Sequence, residues 1–291
     1  MSIKHPIIAI SGSSGAGTTS VTRFFQHIFR REKINAEIVE GDSFHRYDRT
    51  AMKEMMAEHT VAGDNHFSHF GPKANLFDEL EELFREYSET GRGKRRRYIH
   101  DQEEAKRFGG EPGTFTEWVD LPDGTDALFY EGLHGAVKTD TVDVGRYVDL
   151  RIGVVPIINL EWIQKIHRDK AQRGYSSEAV MDTILRRMPD YINYICPQFA
   201  RTHVNFQRVP TVDTSNPLIA KDIPTLDESF VVIRFADPHG IDFPYLLSML
   251  HDSFMSRPNI IVCPGGKMGV AMQIIFTPLI MQLMDKKRRS R

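Results

Sequence analysis

Cysteine is scarce. Cys196 and Cys263 are the two in 291 residues, far apart and in no paired motif. That leaves no cysteine cluster for a metal and no redox pair, and it fits a reducing cytoplasm. Both thiols read as small core side chains. Excess charge is lacking too. Lys and Arg number 37 against 39 Asp and Glu, a net charge of -2, so nothing global favours a nucleic-acid partner. Long apolar runs are missing as well. Gly269 to Leu283 is broken by Gln273, Pro278 and Gln282. It is shorter than the about 20 residues that a membrane helix needs, so no membrane is expected. No basic-plus-apolar leader opens the sequence, and no repeat, linker or low-complexity segment interrupts it. What remains, at 41% hydrophobic, suits a soluble globular chain of one large or two modest domains.

The most informative stretch is residues 6–31. Ile7-Ile8-Ala9-Ile10 predicts a strand buried on both faces. Val21, Phe24, Phe25, Ile28 and Phe29 share one face of a following helix. Between them run Gly12, Ser13, Ser14, Gly15, Ala16, Gly17, Thr18 and Thr19, close to the G-x-x-x-x-G-K-[ST] pattern of a phosphate-binding P-loop. Gly12 and Gly17 let the backbone curl so that successive N–H groups aim at phosphate oxygens. The helix N-terminus adds its positive end. Thr19 stands where a hydroxyl ligates Mg²⁺. Thr18 stands where the lysine belongs, so positive charge on the β- and γ-phosphates must come from elsewhere. A glycine turn with no ligand is the plainer reading of the glycines alone. The strand before, the amphipathic helix after and the hydroxyl pair favour phosphate.

Further along, Ala36–Glu40 predicts a second strand and 49–58 a short Met-rich helix. Leu76 to Tyr87 predicts an amphipathic helix stopped by Gly91. Gly91 to His100 is basic, with Phe115–Val119 as an antiparallel strand near it. Ala127–Glu131, Val148–Ile158, Val204–Val209, Phe230–Phe235 and Ile260–Cys263 read as strands. Leu160–Ala171, Ser177–Tyr194 and a segment from about Val270 read as helices. The alternation predicts an α/β fold, a mixed sheet with helices on both faces and a small inserted hairpin at about 92–120.

Ligands of such sheets bind beyond the carboxyl ends of the strands. Asp42 and Glu131 fall at the ends of the second and third strands. Either carboxylate there serves to hold Mg²⁺ or to accept a hydroxyl proton. Glu131 suits the metal side. Asp42, followed by His45, Arg46 and Arg49, suits an anionic substrate with a hydroxyl to deprotonate; helix capping is the alternative for Asp42. Lys165, Arg168 and Asp169 share one side of a helix, with Trp162, Ile163 and Ile166 on the other. Arg173 follows. This is either a solvated face or a mobile lid whose cations replace the missing lysine on closure. The run Arg92, Lys94, Arg95, Arg96, Arg97, Tyr98, His100 reads as a solvated face, a nucleic-acid patch or a rim attracting a sugar phosphate. Arg186 and Arg187 are either phosphate contacts or a surface pair.

The motifs ISGSSGAGTTS, VEGDSFHRYDR, FSHFGPKANLF, YIHD, LFYEGLHGAV, NLEWIQKIHRDKAQRGYSSEAV, VNFQRVPTVDTSNP and GIDFPYLLSMLHDSFMSR span nearly the whole chain. Together they resemble phosphoribulokinases of the bacterial, octamer-forming type, in which a P-loop threonine is characteristic. The resemblance implies one P-loop kinase domain over 1–291, with a lid helix region at about 159–180. It implies a cytoplasmic Calvin-cycle enzyme that transfers the γ-phosphoryl group of ATP, with Mg²⁺, to O1 of D-ribulose 5-phosphate. On that resemblance Asp42 is the base. Lys165, Arg168 and Asp169 form the lid's catalytic face. His45, Arg49, Tyr98, His100 and Arg173 contact the sugar phosphate, and Thr19 and Glu131 serve the metal. NADH is the implied activator and AMP the implied inhibitor, with Arg31, Arg234 and Arg257 as effector contacts, and the implied assembly is a homo-octamer. A uridine kinase-like enzyme, a nucleotide-binding regulator without turnover and a nucleic-acid binder are the alternatives.

Overall fold

The computed structural model describes residues 4–12, 18–155 and 157–290; the side chains of residues 18–20, 172 and 173 also lie outside the description. The strands are β1 (Ile7–Ser11), β2 (Ala36–Glu40), β3 (Lys94–Arg95), β4 (Val119–Asp120), β5 (Ala127–Gly132), β6 (Leu150–Val155), β7 (Val204–Pro210), β8 (Ser229–Phe235), β9 (Phe254–Arg257) and β10 (Ile260–Pro264). The helices are α1 (Thr18–Arg31), α2 (Arg49–Val61), α3 (Phe77–Thr90), α4 (Gln102–Phe108), α5 (Ile158–Arg173), α6 (Ser177–Asp190), α7 (Phe243–Met249) and α8 (Met268–Arg289).

Eight strands form one sheet in the order β2-β5-β1-β6-β7-β8-β10-β9. The first five run parallel, and β8, β10 and β9 each run antiparallel to the neighbour before them. The unbroken apolar run of β1 is explained by its position. Ile8 and Ile10 enter the cluster that Phe25 of α1 and Phe276 of α8 share with Phe129 and Phe206. Ile7 and Ala9 enter the cluster under Leu80, Leu83, Phe84 and Tyr87 of α3. Successive side chains point to opposite faces, so a strand covered by helices on both sides must be apolar throughout. The antiparallel end differs. Val231, Ile233 and Phe235 of β8 are buried, whereas Phe230 is 39% exposed, so only one face of that end is sealed.

Several boundaries depart from the sequence expectation. The strand expected to reach Ile158 ends at Val155. Pro156 follows directly in the sequence and has no N–H for a ladder. The helix expected to run to Tyr194 ends at Asp190, beyond Pro189, and passes into a wider π-turn over Tyr191–Ile195. The strand expected over 115–119 is reduced to Val119–Asp120 paired with Lys94–Arg95, plus one bridge between Tyr98 and Phe115. Between those arms lies α4, capped by Asp101, which accepts from the N–H groups of Glu103 and Glu104. α7 and β9 were not expected, although Asp242 and Pro244 at the start of α7 are an ordinary helix-start signal. α8 is long and apolar enough to cross a membrane by length and composition alone. Here its residues Met272, Ile275, Phe276 and Ile280 are spent on the sheet.

Candidate active site

β2 ends at Glu40, not Asp42. Asp42 lies in a single 3₁₀ turn, Gly41–Phe44, just past the strand. Gly41 is required there. A Cβ on it would lie 2.6 Å from Tyr130 Oη and 2.9 Å from the Gly132 Cα. The ends of β2 and β5 therefore meet backbone to backbone. That contact sets the turn carrying Asp42 against the end of β5, where Glu131 pairs with Glu40 on one side and Ile10 on the other. Asp42 does not cap the next helix; Asp48 caps α2 through the N–H groups of Thr50 and Ala51.

The Asp42 side chain is 45% exposed and receives His45 Nε2 at 3.3 Å. The other ring nitrogen of His45 lies 2.9 Å from Asn75 Oδ1. The Asn75 amide nitrogen already donates to the carbonyls of His69 and Gly71, at 2.8 and 2.7 Å. Its oxygen is thereby turned to His45, and both imidazole nitrogens face acceptors. His100 Nε2 stands 4.0 Å from the second carboxylate oxygen of Asp42. Desolvation pushes the Asp42 carboxyl up, but the hydrogen bond from His45 and the charges of His45 and His100 outweigh it and hold the group well below its ordinary value. Asp42 is thus a carboxylate at neutral pH.

The expected substrate contacts gather around it. Arg49 donates to the carbonyl of His100 at 3.2 Å. It also packs on Gly113, whose φ of +95° and missing Cβ leave room for the Arg49 stem. Tyr98 meets the His100 ring edge-on at 5.0 Å. The hairpin therefore faces the site at its 98–100 end. Its basic run is divided: Arg92 and Lys94 are exposed, and the three arginines that follow are built into the fold. Arg95 pairs with Glu37 at 2.5 Å and donates to the carbonyl of Ile38. Arg96 lies over Phe115 and donates to the carbonyls of Ser43 and His45. Arg97 stacks on Phe108 at 4.6 Å.

His69 and Asn75 had no assigned role in the sequence reading. Nothing in their local spacing marks them, because their importance comes from a loop that folds back over His45. The His69 ring lies 4.5 Å from that of His45. Burial, then the charges of His45 and Arg187, push the His69 pKa well below its usual value, so it stays neutral.

Lys165, Arg168 and Asp169 are together, but not as a solvated face. Lys165 bonds to Asp169, and Arg168 Nε reaches the other carboxylate oxygen at 3.1 Å. Asp169 is 1% and Lys165 9% exposed. Removing one member of so buried a pair costs about 3–5 kcal/mol, so the contact is built into the fold. Burial and the charge of Arg187 press the Lys165 pKa down to about 8 although Asp169 opposes them. Arg187 in turn lies over Phe70 at 5.0 Å, and Arg186 reaches Thr60 at 3.3 Å.

Of the expected phosphate loop, Ser13, Ser14, Gly15, Ala16 and Gly17 lie outside the described residues, as do the side chains of Thr18, Thr19 and Arg173. The edges of the loop are in place. Gly12 N–H donates to the carbonyl of Gly132 at 3.1 Å, and α1 starts at Thr18. The Ser11 hydroxyl is buried with no partner among the described residues. With Glu131 one strand away it presents hard oxygen donors at the loop, the donor type that suits Mg²⁺. The expected effector contacts are not assembled within one chain. Arg31 binds Glu32 and Thr277. Arg234 and Arg257 flank Ile260 from two sides. Arg234 alternates with Ile233 and Phe235, which enter the cluster beneath α1, so it points to the opposite face.

The model of the phosphoribulokinase / uridine kinase family matches residues 7–215. The chain is 68% identical over 290 residues to the chromosomal phosphoribulokinase of Cupriavidus necator, covering 100% of this chain and 99% of that one. It is 66% identical to the phosphoribulokinase of Nitrobacter vulgaris, covering 99% of each. The solved structure of phosphoribulokinase from Rhodobacter spheroides superposes with a TM-score of 0.92 at 55% identity, over 99% of this chain and 100% of that one.

Proposed function

The chain belongs to the phosphoribulokinase / uridine kinase family, and we propose that it carries out phosphoryl transfer to ribulose 5-phosphate through Asp42 as the base and the α5 cations as the charge partners. The overall reaction is that of a phosphoribulokinase, ATP-dependent phosphorylation of ribulose 5-phosphate in the Calvin cycle. The observation that carries the residue assignment is the setting of Asp42. It is an ionised, half-open carboxylate one turn beyond a parallel strand next to the phosphate-loop strand pair, ringed by His45, His100 and, through His100, Arg49.

On this reading Asp42 takes the O1 proton as O1 attacks the γ-phosphorus of ATP. His45, Arg49, Tyr98, His100 and Arg173 hold the sugar phosphate. Lys165 and Arg168 supply the charge that Thr18 does not, oriented by Asp169. Magnesium, held by Thr19 and Glu131, would neutralise phosphate charge. The phosphate loop over Gly12–Thr19 would cradle the nucleotide. We read the chain as one domain in which 92–120 is an insert and the region from about 159 is a lid. Cytoplasmic location, a homo-octamer, activation by NADH and inhibition by AMP through Arg31, Arg234 and Arg257 rest on the motif resemblance.

The test is ADP release with MgATP and either ribulose 5-phosphate or uridine, with and without NADH. Turnover confined to the sugar phosphate and raised by NADH is expected. Turnover unmoved by NADH removes the effector assignment. Turnover with uridine alone moves the acceptor to a nucleoside.

A further inference from the structure

Arg96 touches neither the carboxylate of Asp42 nor any expected substrate contact by its charge. It touches the backbone of the turn that follows Asp42, at Ser43 and His45. The four carbonyls from Asp42 to His45 lie at the end of a 3₁₀ turn, and each needs a donor. The Asp42 carbonyl accepts from His45 N–H at 3.2 Å and the Phe44 carbonyl from Leu76 N–H at 2.8 Å. The other two both accept from Arg96: Ser43 from Nε at 2.9 Å and His45 from Nη2 at 2.6 Å. Ser43 and Phe44 are 2% exposed and His45 8%, so bulk water is kept from replacing those bonds.

The guanidinium is itself held flat. Its carbon lies 3.7 Å from the Phe115 ring centre and 4.9 Å from that of Trp118. Trp118 in turn meets Phe44 edge-on at 5.7 Å. One planar fork, gripped by two rings, thus fixes the carbonyls on either side of Phe44. Lysine offers neither the fork nor the stack.

We propose that Arg96 is a positioning residue for phosphoryl transfer, setting Asp42 and His45 by holding the turn between them. The proposal rests on the reading of Asp42 as the base. Its consequence is confined to the acceptor half of the site. The nucleotide loop begins on β1, which Arg96 does not touch through any of these contacts.

The test uses the full-length Arg96→Gln and Arg96→Lys variants beside Asp42→Asn. A displacement of about 1 Å at a reacting group costs on the order of 100-fold, so kcat of Arg96→Gln is expected to fall about 10- to 100-fold. KM for ribulose 5-phosphate should rise, while KM and affinity for ATP stay as they were. Arg96→Lys should not restore the loss. The acid limb of kcat/KM for ribulose 5-phosphate should move to higher pH. The groups that face Asp42 are His45 in its own turn, His69 and His134 from loops above, His100 from the hairpin, Glu40 of β2 and Tyr130 of β5. Of these, His45 is the one that the lost fork releases.

Equal loss toward both substrates, an unmoved acid limb, rescue by Arg96→Lys, or failure of both variants to fold would each overturn the proposal. Asp42→Asn keeps the two ideas apart. If it retains turnover, the base assignment fails whatever Arg96 does. If it is inactive while Arg96→Gln is normal, only the role of Arg96 fails.

Discussion

Around Asp42, the carbonyls of the turn are bonded to groups from the loop at Leu76 and from the hairpin at Arg96, so two separate segments hold the turn that carries the carboxylate. Around Lys165 the contacts are mostly internal. α5 and α6 share a small cluster of Ile166, Val180 and Ile184 with Trp162 against it, separate from the two clusters of the sheet. That pair joins the body through Phe70, Tyr191 and Ile195, through a bond of 2.7 Å from Ser68 to Asp190, through Arg186 and Arg187, and through Asn159 and His167 on the carbonyls of Thr214 and Ala220. One region is held by the strand ends and the hairpin; the other has a small core of its own. A base must lie in line with the attacking oxygen before the reaction starts. Charge on the transferred group is needed only at transfer, and a unit that closes can deliver it and exclude water. The π-turn over Tyr191–Ile195 follows α6 directly after Pro189 and Asp190.

Three measurements would break or sharpen this contrast. The largest effect is expected at Asp42. Asp42→Asn keeps the size and loses the charge, and kcat should fall by about 10²–10⁴-fold, the range for a general base, with ATP binding retained. Unchanged kcat would take the base from the region at the strand ends altogether. Next is Lys165→Met. If the cation acts at transfer, kcat drops by about 10²–10³-fold with little change in KM for ATP. A rise in KM alone would make Lys165 a ground-state contact and the contrast with Asp42 would shrink. The smallest effect is a shift in pH. Lys165 must be protonated to serve, and its pKa lies near about 8 through burial first and Arg187 second. Activity should decline as pH rises through that value. Arg187→Gln removes a repelling charge, so the pKa rises and the decline moves to higher pH. A kcat profile through the alkaline range checks this, and an unmoved decline would assign it to another group.

Much of this was legible in the residues. The strand, glycine turn and helix of 6–31 predict β1 and α1, because the apolar spacing there has one satisfactory solution in each half. Gly91 ends α3 with φ +73°, as its place after a helical pattern predicts. Asp42, His45 and Arg49 come together with Tyr98 and His100 because the segment that follows β2 meets one arm of the hairpin. Other features were hidden. Arg95 and Arg96 belong to a run that reads as solvated, since charge spacing says nothing about a Glu37 or a Phe115 waiting to receive them. Lys165 and Asp169 share a face that reads as solvated or as part of a lid, yet both are buried, which the spacing within α5 alone does not reveal. β9 has four residues, too few for a period to be seen.

The outermost strand on the phosphate-loop side is β2, and open sheet borders invite pairing with strands of other molecules. Arg95 sits across that border, its guanidinium on the Ile38 carbonyl and on the Glu37 carboxylate. A stray strand approaching there meets a fixed cation in place of a free acceptor. The hairpin that steadies the acceptor turn with one arginine therefore also covers part of the open sheet border with the arginine before it.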